Sequence, residues 1–151
     1  MHVAIRMNNL YEADFAQWAQ EQAELCRQGR YSELDVEHLS EELEGMSARE
    51  RRELVSRLGI LLAHLLKWQY QPQRRGNRWR LTIKIQRFDV AALLHQNPSL
   101  RARFEEFLSD AYARAILQAA GETGLDENVF PEACPFSAGQ VLGDHWPDAV
   151  S

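Results

Sequence analysis

The sequence predicts an all-α protein: a bundle of four to five helices with an irregular, docked C-terminal tail. Apolar residues recur at spacings of three and four through most of the chain before Gly124, the signature of helices with one buried face. Turn signals at Gly29, Pro72–Gly76, Pro98 and Gly121–Gly124 punctuate that pattern. Three of the five prolines then gather in the last stretch, "LDENVFPEACPFSAGQVLGDHWP". At 151 residues the chain is the size of one ordinary domain with a real core. The expected organisation is one domain, with residues 8–124 as the bundle and 125–151 as the tail.

The first element, "YEADFAQWAQEQAELCRQGR", places Phe15, Trp18, Gln22 and Leu25 on one stripe with Ala19 and Cys26 beside it, and Gly29 ends it. The second opens at "ELDVEHLSEELEGM", with Asp35 as N-cap and Val36, Leu39, Leu43 and Met46 as its apolar face. The same pattern continues through Leu54, Leu58, Leu61, Leu62 and Leu65, to about Tyr70. Ser47 and Glu50 make an S-x-x-E capping box just after Gly45, so a break or kink is expected at Gly45–Ser47. After the "QPQRRGN" turn, Trp79, Ile83, Val90, Leu93 and Leu94 share a helical face, although "RLTIKI" alternates like a strand. A further helix follows Pro98, burying Leu100, Phe104, Phe107, Leu108, Ala111, Tyr112, Ala115 and Ile116. The tail holds one short helix near Ser137–Leu142, and Val129, Phe130, Phe136, Leu142 and Trp146 are expected to pin it, since that much apolar surface is costly to leave in water.

Composition excludes several classes. Hydrophobic residues are 45%, charged residues 26%, and the net charge is −5, so the whole molecule is no electrostatic trap for nucleic acid or anionic lipid. The longest apolar run, "LGILLAHLL", is too short to span a bilayer. "MHVAIRMNNL" lacks the apolar region of a signal peptide. Cys26 and Cys134 fit no metal spacing, and each reads as a buried free thiol. Together these features lead to an expected cytoplasmic location, with no membrane contact, metal or cofactor.

The segments "YEADFAQWAQEQAELCR", "LDVEHLSEELEGM", "LLAHLLKWQYQP", "RWRLTIKIQR", "NPSL" and "ETGLDENVFPEACPFS" resemble, in this order, the bacterial family catalogued as domain of unknown function 29. The likeness runs from about Tyr11 to Pro147 and is most specific in H-L-L-K-W-x-x-Q-P and the arginine–tryptophan segment after it. It implies an all-helical fold and a bacterial origin, and no activity.

Charge is distributed unevenly. Residues 63–88 hold seven basic residues (Lys67, Arg74, Arg75, Arg78, Arg80, Lys84 and Arg87) and no acid, whereas residues 1–53 hold twelve acids and six basic residues. Three readings of the basic stretch compete. On the structural one, Trp68 and Trp79 pack at one level at the hairpin end, Arg74, Arg75 and Arg78 are a solvated turn, and Lys67 and Arg87 are held by carboxylates. Glu41 and Glu42 are the candidates for that, provided the chain folds back after Met46. An unbroken helix would put Glu42 and His64, 22 residues apart, roughly 33 Å from each other. On the second reading, Trp68, Arg74, Arg75, Arg78, Trp79 and Lys84 form a nucleic-acid or polyanion surface, with arginines on phosphates and aromatic faces on bases. No recognised nucleic-acid motif supports it. The third makes His64, Lys67 and Arg87 an anion site or catalytic group, with a histidine among cations kept neutral as a base.

Other enzyme patterns fail on spacing. His38, Glu41 and Glu42 resemble half of a bundle metal site, but the order is reversed from Glu-x-x-His and no second copy exists. "EELE" is one residue off the nucleotide-pyrophosphatase pattern, and Arg57 and His64 are seven apart where the RNase bundles use five. His2, His95 and His145 have no metal-ligand spacing. The expectation is therefore a non-catalytic interaction or regulatory module, partnered by a second copy of itself or another protein.

Overall fold

A computed structural model describes residues 10–150. His2 and the first residues of the expected 8–124 bundle lie outside the described residues. Among the described residues there are helices and no strand. The chain divides into two compact units, residues 1–48 and 49–151.

In the first unit, residues 10–13 are helical and α1 spans Phe15–Arg27. The Asp14 side chain caps α1 by accepting from the Gln17 amide at 3.1 Å, which satisfies one of the orphan donors of the first turn. Trp18, Gln22 and Leu25, at i, i+4 and i+7, are buried. Leu10, Tyr11, Ala19, Leu34 and Leu39 pack around this small cluster. The chain reverses at Gly29, whose φ of +70° lies in the left-handed region and favours glycine. Two expected members of the stripe are not buried: Phe15 is 50% exposed and Cys26 is an exposed free thiol. The cluster around Trp18 and Leu25 is small and covers only part of the circumference of α1.

Helix α2 runs unbroken over 35 residues, Val36–Tyr70. The expected break at Gly45–Ser47 is absent. A capping box stabilises a helix start only where backbone donors lack partners; within a continuing helix each donor already meets the carbonyl four residues back. One interior glycine then weakens the helix by only about 1 kcal/mol. A Cβ added at Gly45 would meet nothing within 4 Å. Gly45→Ala is therefore expected to stabilise the protein by about 0.5–1 kcal/mol, measurable as a shift in the urea midpoint. A destabilised variant would show that the helix needs its glycine there.

In the second unit the α2 residues Leu54, Leu58, Leu61, Leu62, Leu65 and Leu66 are all fully buried. A tight turn through Pro72–Arg74 leads to α3, Asn77–Gln96. The strand-like "RLTIKI" is helical from its first residue, because Ile83, Arg87, Val90 and Leu94 continue one buried helical stripe. Arg57 Nη1 donates to Asp89 Oδ2 at 2.9 Å, which ties α3 back along α2. A 3-10 turn over Pro98–Arg103 precedes α4, Phe104–Thr123. Helix α4 buries Phe104, Phe107, Leu108, Ala111, Tyr112, Ala115 and Ala119, while Ile116 is half-buried. It stops at Gly124, which has φ +78°; Gly121 lies inside the helix.

The tail packs on this unit. Phe130, Phe136 and Val141 are buried, and the Phe130 ring meets Tyr70 edge-on at 4.9 Å. Tyr112 Oη donates to the Pro131 carbonyl at 2.5 Å. Helix α5, Ala138–Leu142, starts with a full capping box between Ser137 and Gln140. Leu142 and Trp146 are half-buried. Val129 is 48% exposed and is not an anchor; its 3-10 turn, Glu127–Val129, turns that side chain outward while the next residue, Phe130, enters the core.

Candidate functional site

The basic hairpin resolves into two clusters and an exposed remainder. In the first cluster, Lys67 is 4% exposed and ion-pairs with Glu122 of α4. Its Nζ lies 3.4 Å from His64 Nε2 and 5.0 Å from the centre of the Trp79 ring, a cation–π distance. His64 sits one turn before Lys67, and its Nδ1 is 2.8 Å from the Ile60 carbonyl. Burial pushes His64 below the ordinary histidine value, with Lys67 adding to this and the Ile60 contact opposing it. Burial raises the Glu122 carboxyl, but bonds from Lys67 and Gln118 outweigh that and hold it below its ordinary value.

The second cluster clamps the tail. Arg87 Nε donates to the Val141 carbonyl at 3.0 Å. Its Nη2 donates to the carbonyls of Gln140 at 3.0 Å and His145 at 2.5 Å. The same guanidinium lies 5.6 Å from the Trp146 ring. Trp146 packs on Trp68 at 4.7 Å, and Arg75 lies 5.0 Å from the Trp68 ring. Arg75 also donates to the Trp68 carbonyl at 2.7 Å and to Pro147 at 3.2 Å. The order Arg87, Trp146, Trp68, Arg75 is thus a ladder of two adjacent indoles with a cation at each end, in which each ring offers a π face to a cation.

Three expectations are corrected by this geometry. His64 and Lys67 do meet, but Arg87 is engaged by carbonyls of the tail rather than joining them or a carboxylate. Trp68 packs at the hairpin end against Trp146, which the tail inserts there, while Trp79 lies beside Lys67. Glu41 and Glu42 do not hold Lys67 or Arg87: the fold-back they required is missing, Glu122 takes Lys67, and Glu42 accepts from Tyr11 Oη instead. Arg75 is no free turn residue. By contrast Arg74, Arg78 and Lys84 are exposed, and Arg80, also exposed, bonds Asn77 at the start of α3.

A further polar network lies in the first unit. Asp35 Oδ2 accepts from Trp18 Nε1 at 3.0 Å and is 2.7 Å from His38 Nδ1. The His38 backbone amide reaches Asp35 Oδ1 at 3.4 Å, the N-cap expected of Asp35. Gln22, itself buried, accepts from the Asp35 amide at 2.8 Å. The Tyr11 ring stacks on the His38 imidazole, with centroids 3.9 Å apart. The bond to Glu42 pushes the Tyr11 hydroxyl up to about 12. The i, i+3 spacing of Asp35 and His38 is a sequence signal for this pair; the approach of Trp18 and Tyr11 has none, since it depends on how α1 lies on α2.

The sequence pattern of the family described as "Domain of unknown function DUF29" matches residues 10–147. The chain belongs to this family. No curated protein and no solved structure matches it. The DUF29 chain has, among its described residues, no helix long and apolar enough to cross a membrane.

The two histidine environments of this DUF29 chain, His38 half-buried and His64 buried, predict opposite pH responses. The hydrogen bond to Asp35 raises His38 above its ordinary 6.5. Stabilisation from a raised histidine is complete below the unfolded value and is lost as pH rises through the folded one. His64 is lowered, so its contribution is complete above 6.5 and is lost as pH falls through its folded value. Asp35 is held below 3.8: burial raises it, but its bonds from His38 and Trp18 prevail, so its contribution is lost only at lower pH still. His38→Gln is expected to flatten the decline of unfolding free energy on the alkaline side of 6.5. His64→Gln is expected to flatten the decline on the acid side. Chemical denaturation across pH measures both slopes, and identical slopes in wild type and variants would refute the assignment.

Proposed function

We propose that this DUF29 chain is a non-catalytic protein-interaction module whose contact face lies on α3. One observation carries the reading: Leu81, Ile85 and Phe88, at i, i+4 and i+7, are 42%, 56% and 75% exposed. An apolar stripe on a helix is stable in water only at a cost, and contiguous exposed apolar surface marks interaction sites. The side chains with most chemical capacity, His64, Lys67 and Arg87, are engaged inside the fold by Ile60, Glu122 and the tail carbonyls, which argues for a structural role. The exposed Arg74, Arg78 and Lys84 favour a second reading, polyanion binding along the same hairpin.

The test places a photo-crosslinking residue at position 88 and measures oligonucleotide binding in parallel. The interaction reading expects a protein adduct through position 88 that Ile85→Glu abolishes without loss of helicity. It expects no tight oligonucleotide complex. Tight, salt-dependent oligonucleotide binding that disappears in Arg74→Ser/Arg78→Ser/Lys84→Ser would establish the second reading in its place.

A further inference from the structure

The α3 stripe has a chemically matched counterpart on the same chain. Along α2, the buried face of Leu54, Leu58, Leu61 and Leu65 continues towards the N-terminus as Val36 and Leu43, with Met46 at its edge. There it is uncovered: Val36 is 63%, Leu43 64% and Met46 55% exposed. Charges around the two stripes are opposite. Residues 36–48 contain Glu37, Glu41, Glu42 and Glu44 and no lysine or arginine. Of these, Glu37, Glu41 and Glu44 are exposed. Residues 77–88 contain Arg78, Arg80, Lys84 and Arg87 and no acid, and only Arg87 of the four is buried.

We infer that the Leu81–Ile85–Phe88 stripe of one copy seats the Val36–Leu43–Met46 face of a second copy, reciprocally, in a twofold dimer. This rests on the interaction reading above and names its partner. Each stripe alone is a poor self-partner, since like charges would line both sides of an α3–α3 or α2–α2 contact. Across the proposed pairing, three exposed cations meet three exposed carboxylates around an apolar centre. That arrangement is the polar rim and apolar core of a protein interface, and opposite potentials fix which faces meet. Reciprocal use closes the assembly at two copies, as twofold symmetry requires. It also doubles the area buried by one helix-on-helix contact, towards the roughly 1,200–2,000 Å² total of specific interfaces.

The experiment is sedimentation of the full chain, whose monomer mass is 17.4 kDa. The expected wild-type result is twice that mass, weakening with salt. Ile85→Glu/Phe88→Glu and, separately, Leu43→Lys/Met46→Lys are each expected to give monomers that keep wild-type helicity. Arg78→Glu/Arg80→Glu/Lys84→Glu is expected to give monomers. Adding Glu37→Lys/Glu41→Lys/Glu44→Lys to the same chain is expected to restore the dimer. Should a variant lose its helicity, photo-crosslinking from position 88 of the otherwise wild-type chain decides instead, with the adduct expected within residues 36–48 of the second copy. A monomer at every concentration, an open polymer, or a dimer that survives the Leu43/Met46 change would overturn the pairing. A monomer that still crosslinks through position 88 to a different protein would overturn this inference and leave the interaction reading intact. A monomer that crosslinks to nothing would remove both.

Discussion

Ending the chain after Gly124 is expected to unfold the second unit at room temperature. The cut removes Phe130, Phe136 and Val141, each buried to 5% exposure or less. A buried side chain of this kind contributes about 1.5–3 kcal/mol, so their loss amounts to several kcal/mol. A whole domain is stable by only about 5–15 kcal/mol. The cut also uncovers Tyr70, strips Trp146 from Trp68 and removes the three carbonyls that Arg87 bonds. Thermal circular dichroism of the shortened chain measures the effect. A melting midpoint equal to that of the full chain would show the tail to be a loose appendage, and with it the ladder of Arg87, Trp146, Trp68 and Arg75 to be without energetic weight.

Arg87→Ala is expected to be the most damaging single change in the basic hairpin, at about 3 kcal/mol or more. Hydrogen bonds to a charged group contribute about 1.5–3 kcal/mol each, and Arg87 makes three to carbonyls while only 9% exposed. Their sum is not additive, because one guanidinium serves all three. Burial lowers the Arg87 value, with Asp144 opposing it. That is the electrostatic expense the carbonyl bonds must offset. Arg87→Lys should recover little, since an ammonium lacks the planar fork that serves three acceptors at once. Arg75→Ala should cost less, about 1–2 kcal/mol: it loses bonds to Trp68 and Pro147 and a cation–π contact, but its site is half open to water. Arg78→Ala, at an exposed position, should be near neutral. Urea denaturation of the series gives the order. Equal stabilities for Arg87→Ala and Arg78→Ala would refute the clamp.

These expectations differ from those the basic stretch suggests when read alone, and the reason is specific. Arg74, Arg75 and Arg78 are indistinguishable in sequence: three arginines at a turn. Only Arg75 is reached by the returning tail, through the Pro147 carbonyl and the Trp68 ring under Trp146. That contact joins residues 72 positions apart, and no local pattern encodes it. Glu122 is a comparable case. It is an ordinary carboxylate on α4 until the packing of α4 on α2 brings it to the buried Lys67.

The apolar spacing of three and four determined the helices, because a helix repeats its face every 3.6 residues whatever it packs against. Turn chemistry set most of their ends: Gly29 and Gly124 adopt positive φ, Asp35 caps α2, and Ser137 with Gln140 opens α5. The short helix near Ser137–Leu142 and the burial of Phe130 and Phe136 were legible for the same local reasons. What the spacing does not contain is the identity of the partner. The stripe of α2 reads as continuous from Val36 to Leu65, yet its C-terminal half is buried and Val36, Leu43 and Met46 are open. Likewise Leu81, Ile85 and Phe88 have no mark in the sequence that separates them from Ile83, Val90 and Leu94, which are buried on the opposite face of α3. Whether a given apolar face is covered, and whether a given cation is held, depends on which distant segment arrives beside it. Tertiary packing alone decides that, because burial and ion pairing are properties of neighbours in space rather than of neighbours along the chain.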